Sequence, residues 1–84
     1  MITIKYFARL SDSLGIRSEK LAHHSQINTA EDVIQQLVER GGIWQDEFCG
    51  DHKILLAINQ QMSERQATVA DGDEIAFFPP VTGG

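Results

Sequence analysis

One amphipathic helix stands out in this 84-residue chain and limits the folds that the chain can adopt. The side chain of Thr29 can accept a hydrogen bond from the first turn, and Glu31 and Asp32 lie at the positive end of the helix dipole. Asp32 occupies the position where a capping box usually has Glu or Gln, which leaves the reciprocal bond uncertain. The apolar residues that follow share one helical stripe: Val33, Ile34, Leu37 and Val38. We therefore predict a helix over residues 29–41.

Strand patterns lie on both sides of this helix. Residues 2–7 alternate with a period of two, which places Ile2, Ile4 and Tyr6 on the core face and Phe7 on the opposite face. Four further segments are predicted strands: residues 18–23, paired with the first strand in a hairpin, 54–59, buried on both faces, 67–69 and 73–78. The last strand ends at Pro79-Pro80, because proline cannot donate to a strand ladder.

Two shorter helical segments complete the prediction. Residues 8–14 form a helical turn closed by Gly15, and residues 43–48 form a loose turn whose apolar side chains plug one end of the core. Gly41 supplies the left-handed end of the main helix, and Arg40 complements the negative end of its dipole.

The order of these elements predicts the fold class. A hairpin, one main helix and then further strands favour an α+β fold in which the helix packs across one face of a mixed sheet, the ubiquitin-like β-grasp. We predict a single domain over residues 1–84, with a flexible C-terminal tail at residues 81–84. A ferredoxin-like fold would need a second full helix near residues 62–72, and residues 60–71 have too few apolar positions for one.

Charge and size exclude several classes of function. Seven basic residues against twelve acidic ones give a net charge of −5, which argues against nucleic-acid binding and favours a partner with a basic docking face. The chain has no signal peptide or long apolar span, and its single cysteine fits a reducing compartment, so we predict a cytoplasmic protein. A domain this small has little room for a walled catalytic pocket, which argues against an enzyme that acts alone.

No constellation of internal side chains predicts catalysis or metal binding. His23 and His24 are adjacent and cannot converge on a metal ion in a regular element, and His52 is distant in sequence. Cys49 has no basic neighbour to activate it, so we predict a half-buried, inert thiol. The acidic residues around Asp71 lack the spacing of a calcium loop and are interpreted as a charged turn.

The C-terminus is the remaining candidate site. Pro79-Pro80 stiffens the exit from the sheet, and Val81, Thr82, Gly83 and Gly84 could then extend about 13 Å beyond the fold. Two terminal residues without a Cβ can enter a narrow channel in another protein. The reactive group would be the Gly84 carboxylate, which needs activation, most simply as an acyl-adenylate made from ATP by a separate enzyme. We predict no cofactor bound to this chain itself.

Alternation also predicts a docking face next to this tail. If Ile75 and Phe77 point into the core, then Phe78 shares the opposite face with Phe7. Exposed aromatic side chains beside a reactive tail indicate an interface, to which Pro79 and Pro80 would also belong.

The sequence resembles the small, sulfur-carrier subunits of molybdopterin synthase. Residues 71–84, DGDEIAFFPPVTGG, are similar to the C-terminal signature of that family, and residues 4–8 and 55–60 match the same pattern. The resemblance implies that an activating enzyme adenylates Gly84 and that a sulfur donor system converts it into a thiocarboxylate. The large catalytic subunit would then use this sulfur to build molybdopterin from cyclic pyranopterin monophosphate, in a heterotetramer. It also implies that Met62 faces the partner.

Three other functions remain open at this point. The chain could be a sulfur carrier for another pathway, such as that of thiamine, although the proline pair before the tail disfavours this. It could be a ubiquitin-like modifier conjugated to lysines through Gly84, or a binding module whose glycine end is inert.

Overall fold

The first and last strands of the chain are neighbours in the middle of its sheet. In a computed structural model, which describes residues 1–49 and 53–80, five strands and three helices are observed. The strands are β1 (Ile2–Tyr6), β2 (Ser18–Leu21), β3 (Leu55–Ile58), β4 (Gln61–Ser63) and β5 (Glu74–Phe78). The helices are α1 (Arg9–Leu14), α2 (Ala30–Val38) and α3 (Gly42–Cys49).

The sheet is mixed, with the strand order β2-β1-β5-β3-β4. β1 and β5 run parallel, with Ile4 opposite Ile75 and Tyr6 opposite Phe77, whereas the other neighbouring pairs are antiparallel. The helices cover one face, and this confirms the predicted β-grasp class of a mixed sheet under one main helix. The parallel pairing matters for function, because it brings the carboxyl ends of β1 and β5 to the same edge of the sheet.

The main helix begins as the sequence predicts. Thr29 is the N-cap and its hydroxyl accepts from the backbone N–H of Asp32, while the Asp32 carboxylate accepts from the backbone N–H groups of Asn28 and Thr29. The capping box is therefore complete with Asp in place of Glu, and these backbone donors hold the pKa of Asp32 below its ordinary value. The helix ends at Val38, and Gly41 adopts a left-handed φ of 74° three residues later.

The core lies between the helices and one face of the sheet. Its buried residues are Ile2, Ile4, Tyr6, Leu10, Ile27, Ala30, Val33, Ile34, Leu37, Phe48, Leu56, Val69, Ile75 and Phe77. The predicted core face of β1, the apolar stripe of α2, and Ile75 and Phe77 of β5 are all confirmed.

Several element boundaries differ from the sequence prediction. The segment after Gly41 is a complete eight-residue helix, α3, rather than a loose turn, and it packs against α2. β2 ends at Leu21, so that His23 lies beyond it. The strand predicted at residues 67–69 is reduced to one bridge between Thr68 and Thr29, and β4 was not predicted. β3 has buried residues on both faces, Leu56 and Ala57, although its two end residues are half-buried.

The hairpin between β3 and β4 explains why β4 was missed. Asn59 and Gln60 both have positive φ values, 51° and 68°, and together form the tight turn. Neither is glycine, so the sequence lacks the usual signal for such a turn. Within residues 1–49 and 53–80, no helix has the length and apolar character needed to cross a membrane.

Candidate functional site

Of the residues predicted to bind a partner, Phe7, Met62 and Phe78 lie on the face of the sheet that the helices leave uncovered. Phe7 is 49% exposed and Met62 is 64% exposed, and both are among the exposed large apolar residues of the described chain. Phe78, Pro79 and Pro80 are half-buried. Residues 81–84, which include the predicted reactive Gly84, lie outside the residues that the structure describes.

Strand register explains how these residues come together. Tyr6 lies opposite Phe77 in the parallel pair, and the backbone N–H of Phe7 donates to the carbonyl of Phe77 at 3.1 Å. Phe7 therefore follows the last residue of β1, Phe78 is the last residue of β5, and both share the uncovered face. Across the sheet, Leu55 lies opposite Phe78.

A second row of apolar residues extends this surface. Ala76 lies opposite Ala57, and Ala57 lies opposite Met62, so the row runs from β5 across β3 to the edge strand β4. We call this surface the open-face patch and define it as Phe7, Leu55, Ala57, Met62, Ala76 and Phe78. The structure thus brings Phe7, Met62 and Phe78 onto one face, at the end of the sheet where β5 leads into Pro79 and Pro80.

A cavity opens beside this patch, at the carboxyl end of β1. It has a volume of about 430 Å³, and its lining includes Lys5, Phe7, Ser11, Arg17 and Ser18. The backbone N–H of Tyr6 donates to the carbonyl of Arg17 at 2.9 Å, which ties the end of β1 to the segment that leads into β2. This cavity was not predicted from the sequence. Lys5 and Arg17 are 12 positions apart in sequence, and they come together at the cavity only because the β1–β2 hairpin folds. The available signal was the alternation of β1, which places Lys5 on the same face as Phe7.

The lining of the cavity includes a strained backbone segment. Ala8 has φ 54° and ψ −132°, a conformation that favours glycine. The Ser11 hydroxyl donates to the Ala8 carbonyl at 3.0 Å, and the backbone N–H of Leu10 donates to the Phe7 carbonyl at 3.1 Å. These bonds hold the sharp turn through which the chain passes from Phe7 into α1.

A polar cluster lies on the covered side, at the β2 edge. The Tyr6 hydroxyl donates to Glu19 at 2.7 Å, and Arg40 donates to both Glu19 carboxylate oxygens at 2.8 and 2.7 Å. The Arg40 guanidinium also lies 4.4 Å from the centre of the Trp44 ring. Arg40 thus joins the segment after α2 to the sheet and to α3. It lies two residues beyond Val38, so the last turn of α2 has no basic residue and the predicted dipole interaction is not observed.

The ionisation of this cluster follows from its contacts. The bonds from Arg40 hold the pKa of the Glu19 carboxyl below its ordinary value, and burial raises the pKa of Tyr6, with the bond to Glu19 adding to the effect. The cluster faces away from the open-face patch and closes one side of the core, so its role is structural.

A second polar pair was also missed by sequence reasoning. Glu47 of α3 is only 5% exposed, and one of its carboxylate oxygens accepts from Arg9 of α1 at 2.8 Å. The pair links α1 to α3. Among the described residues, no buried side-chain polar atom lacks a hydrogen-bond partner. The pair lies in the helical layer, away from the open-face patch.

The remaining candidates for chemistry are Cys49 and the three histidines. Cys49 is exposed rather than half-buried as predicted, because it is the last residue of α3. His23 and His24 are both exposed, and His52 lies outside the described residues. Residues 1–49 and 53–80 hold no group of three side chains suited to a metal ion.

The acidic turn before β5 has a structural role. The Asp73 carboxylate accepts from the backbone N–H of Ala70 and from the side chain of Asn59, and these bonds keep the pKa of Asp73 below its ordinary value. Asp71 pairs with the N-terminal amine, which lowers the pKa of Asp71. The turn lies at the end of β5 opposite to the tail, so it is the charged turn that the sequence predicts.

Comparison with known proteins agrees with this architecture. The chain matches the ThiS family over residues 4–84. It is 38% identical to the molybdopterin synthase sulfur carrier subunit of Haemophilus influenzae, over the full length of both chains. A crystal structure of SAMP1 from Haloferax volcanii superimposes with a TM-score of 0.78 at 29% identity, covering 99% of this chain and 98% of that one.

A more distant structure shares the fold alone. It is the complex of subunits 1 and 2 of the molybdopterin-converting factor from Helicobacter pylori, in which one chain matches with a TM-score of 0.67 at 20% identity, covering 99% of this chain and 97% of that one. The full-length identity and the family match decide the assignment: the chain belongs to the ThiS family and, within it, to the sulfur carrier subunits of molybdopterin synthase.

Proposed function

We propose that this chain carries sulfur on the C-terminal carboxylate of Gly84 and delivers it inside the large catalytic subunit of molybdopterin synthase. In this proposal the open-face patch binds the large subunit, and residues 81–84 extend into its active site. The observation that carries the proposal is the apolar surface, with Phe7 and Met62 exposed, on the face of the sheet next to the end of β5, in a chain of the sulfur-carrier family.

The position of this surface supports a docking role. Phe7 directly follows β1 and Phe78 ends the adjacent parallel strand β5, from which Pro79 and Pro80 continue. A partner that covers the patch would therefore lie beside the point where the tail leaves the sheet. Aromatic side chains at the centre of an interface contribute a large share of binding energy, since they bury much area at little entropic cost.

The proposed chemistry depends on three other components: an activating enzyme, a sulfur donor system and the large subunit. A carboxylate is a poor electrophile, so a separate activating enzyme would transfer AMP from ATP to Gly84 and release pyrophosphate. Sulfur from a donor system would then displace AMP and leave a thiocarboxylate. As an anion, this group is a better nucleophile than the carboxylate, and the large subunit would supply the acid–base groups for its attack on cyclic pyranopterin monophosphate. Two sulfur atoms are needed per molybdopterin, which fits an assembly with two carriers.

The modification of the tail is tested by intact mass spectrometry after incubation with the activating enzyme, ATP and a sulfur donor. We expect a gain equal to the replacement of one oxygen by sulfur. Because oxidation of either methionine adds nearly the same mass, the measurement uses a Cys49→Ser variant and a thiol-specific alkylating reagent. In this variant the thiocarboxylate is the only group that reacts.

Deletion of Gly84 is the matched control for this experiment. It should abolish the alkylated product and leave the circular dichroism spectrum unchanged. A product that persists without Gly84 would contradict the proposal. A ladder of conjugates to lysines would instead support a modifier. The name of one structural relative suggests that function, because a Haloferax volcanii structure of the same fold, 28% identical, is the small archaeal modifier protein 1.

The docking surface is tested by calorimetry with the purified large subunit. Phe78→Asp introduces a charge into the open-face patch, and we expect binding to weaken by at least 10-fold with the fold retained. Met62→Asp should act in the same direction, and its 64% exposure ensures that it does not disturb the core. Ile43→Asp is the control, because Ile43 is 43% exposed on α3 in the helical layer. Equal affinities for Phe78→Asp, Met62→Asp and Ile43→Asp would remove the patch from the interface.

A further inference from the structure

We propose that the cavity at the carboxyl end of β1 binds an acidic side chain of the large subunit, so that the interface joins a cationic socket to the open-face patch. We call the socket the Lys5–Arg17 cavity and define it by Lys5, Ser11, Arg17 and Ser18. The inference rests on the docking proposed above, since Phe7 belongs to both surfaces.

The first observation is the charge on the rim of the cavity. Lys5 and Arg17 both line it, in a chain whose net charge is −5. Within residues 1–49 and 53–80, Arg17 forms no ion pair, and Lys5 has a single one, to Glu74 at 3.3 Å, with side chains that are 44% and 29% exposed. An exposed pair of this kind contributes little, so the ammonium group of Lys5 remains available to a second carboxylate.

The second observation is the polar lining of the cavity. Ser11 and Ser18 line it, and Ser18 lies opposite Lys5 in the β1–β2 pair. Because the Ser11 hydroxyl already donates to the Ala8 carbonyl, Ser18 is the hydroxyl that remains to donate to a bound carboxylate. A carboxylate has two acceptor oxygens, and it can take hydrogen bonds from a guanidinium, an ammonium and a hydroxyl together. The volume of about 430 Å³ admits a whole acidic side chain with its water.

The third observation is continuity with the docking surface. Phe7 forms one wall of the cavity and one end of the open-face patch. A partner seated on the patch therefore reaches the cavity without any movement of the sheet. The rigid turn at Ala8, held by Ser11 and Leu10, fixes the wall in place. Charge pairs at the rim of an apolar interface set orientation and partner choice, which is the role we infer.

The net charge of the chain allows binding of a carboxylate in the cavity to be distinguished from general electrostatic attraction. A chain of net charge −5 is drawn to a basic partner, and removal of one positive charge makes the chain more acidic. General attraction to a basic partner would then stay equal or increase. The Lys5–Arg17 cavity predicts the opposite, a weaker complex.

The test measures affinity for the large subunit by calorimetry, with the full chain and at two salt concentrations. We expect Arg17→Gln to weaken binding by about 3- to 10-fold, and Lys5→Gln with Arg17→Gln to weaken it further. Lys20→Gln is the matched control. Lys20 lies on the same strand and the same face as Ser18 and has the same charge as Lys5, but it does not line the cavity. Its affinity should stay within about 2-fold of the unchanged chain.

The outcomes separate this inference from the proposed function. If Phe78→Asp weakens binding and Arg17→Gln does not, the cavity is overturned and the docking surface stands. If Lys20→Gln weakens binding as much as Arg17→Gln, the effect comes from any positive charge on this face rather than from the cavity, and the inference fails. If the Arg17→Gln effect disappears once residues 81–84 are deleted, the cavity serves the tail of the chain itself, and the inference also fails.

Discussion

Alternate residues of β1 and β5 face opposite sides of the sheet, and the two sides are covered very differently. On the helix side, Ile4, Tyr6, Ile75 and Phe77 are all at most 2% exposed. On the other side, Phe7 is half exposed, although it is as apolar as its buried neighbours. One face of the same strands thus stabilises the domain, and the other keeps apolar surface that folding does not need. That surplus is why we propose the open face as a binding surface.

The adjacent residues Phe77 and Phe78 give the most direct test of this difference between the two faces. Phe77→Ala removes a fully buried ring from the core, and we expect the free energy of unfolding to fall by about 3–5 kcal/mol. Phe78→Ala should lower it by less than about 1 kcal/mol, because its ring lies on the open face. Urea denaturation measures both. Equal losses would mean that the open face also contributes to the core.

A smaller effect is expected at the polar edge of the covered face. Glu19→Gln weakens the bonds from Arg40 and Tyr6, and we expect a loss of about 1–2 kcal/mol at neutral pH. Because the pKa of Glu19 is lowered in the folded state, chiefly by Arg40, its stabilisation is present above the ordinary pKa and is lost as pH falls through the folded-state pKa. The difference between the original chain and the variant should therefore shrink below about pH 5.

Glu39→Gln is the control for this measurement. Glu39 precedes Arg40 and is exposed, and its side chain forms no ion pair within the part of the chain that the structure describes. We expect its stability to follow the original chain at every pH. A gap between the Glu19→Gln variant and the original chain that stays constant on acidification would show that the effect comes from packing rather than from charge.

The smallest effect is expected where the chain leaves the open face. Ala8→Gly relieves a backbone conformation that alanine adopts at a cost, and we expect a gain of about 1 kcal/mol after the larger entropy of an unfolded glycine is subtracted. Ala70→Gly is the matched change at an exposed residue whose φ is not positive, and it should lose about 0.5–1 kcal/mol. Thermal unfolding distinguishes the two, and a loss at both positions would contradict the strain at Ala8.

Much of the fold could be predicted because its signals are local. The capping residue Thr29, the stripe that includes Val33 and Leu37, and the period of two in β1 each depend on neighbours in sequence. The direction of Phe77 and Phe78 follows from the same alternation, and this is why the open face could be anticipated. The reactive role of Gly84 stays a proposal, since it depends on chemistry that other proteins supply.

The parts that could not be predicted depend on contacts between distant residues. Arg40 meets Glu19 only after α2 packs on the hairpin, and Glu47 can be buried only because Arg9 reaches it from α1. The exposure of Cys49 follows from the length of α3, whose apolar pattern is too weak to define its ends. In the same way, the Lys5–Arg17 cavity exists only in the folded hairpin.

The central position of β5 also has a mechanical consequence. β5 is bonded to β1 on one side and to β3 on the other, and the tail continues from its carboxyl end. If a partner holds the tail as proposed and the carrier is pulled away, the force acts along β5 and loads the hydrogen bonds of both ladders in shear, rather than breaking them one at a time. Such a carrier would leave the partner and be used again with its sheet intact.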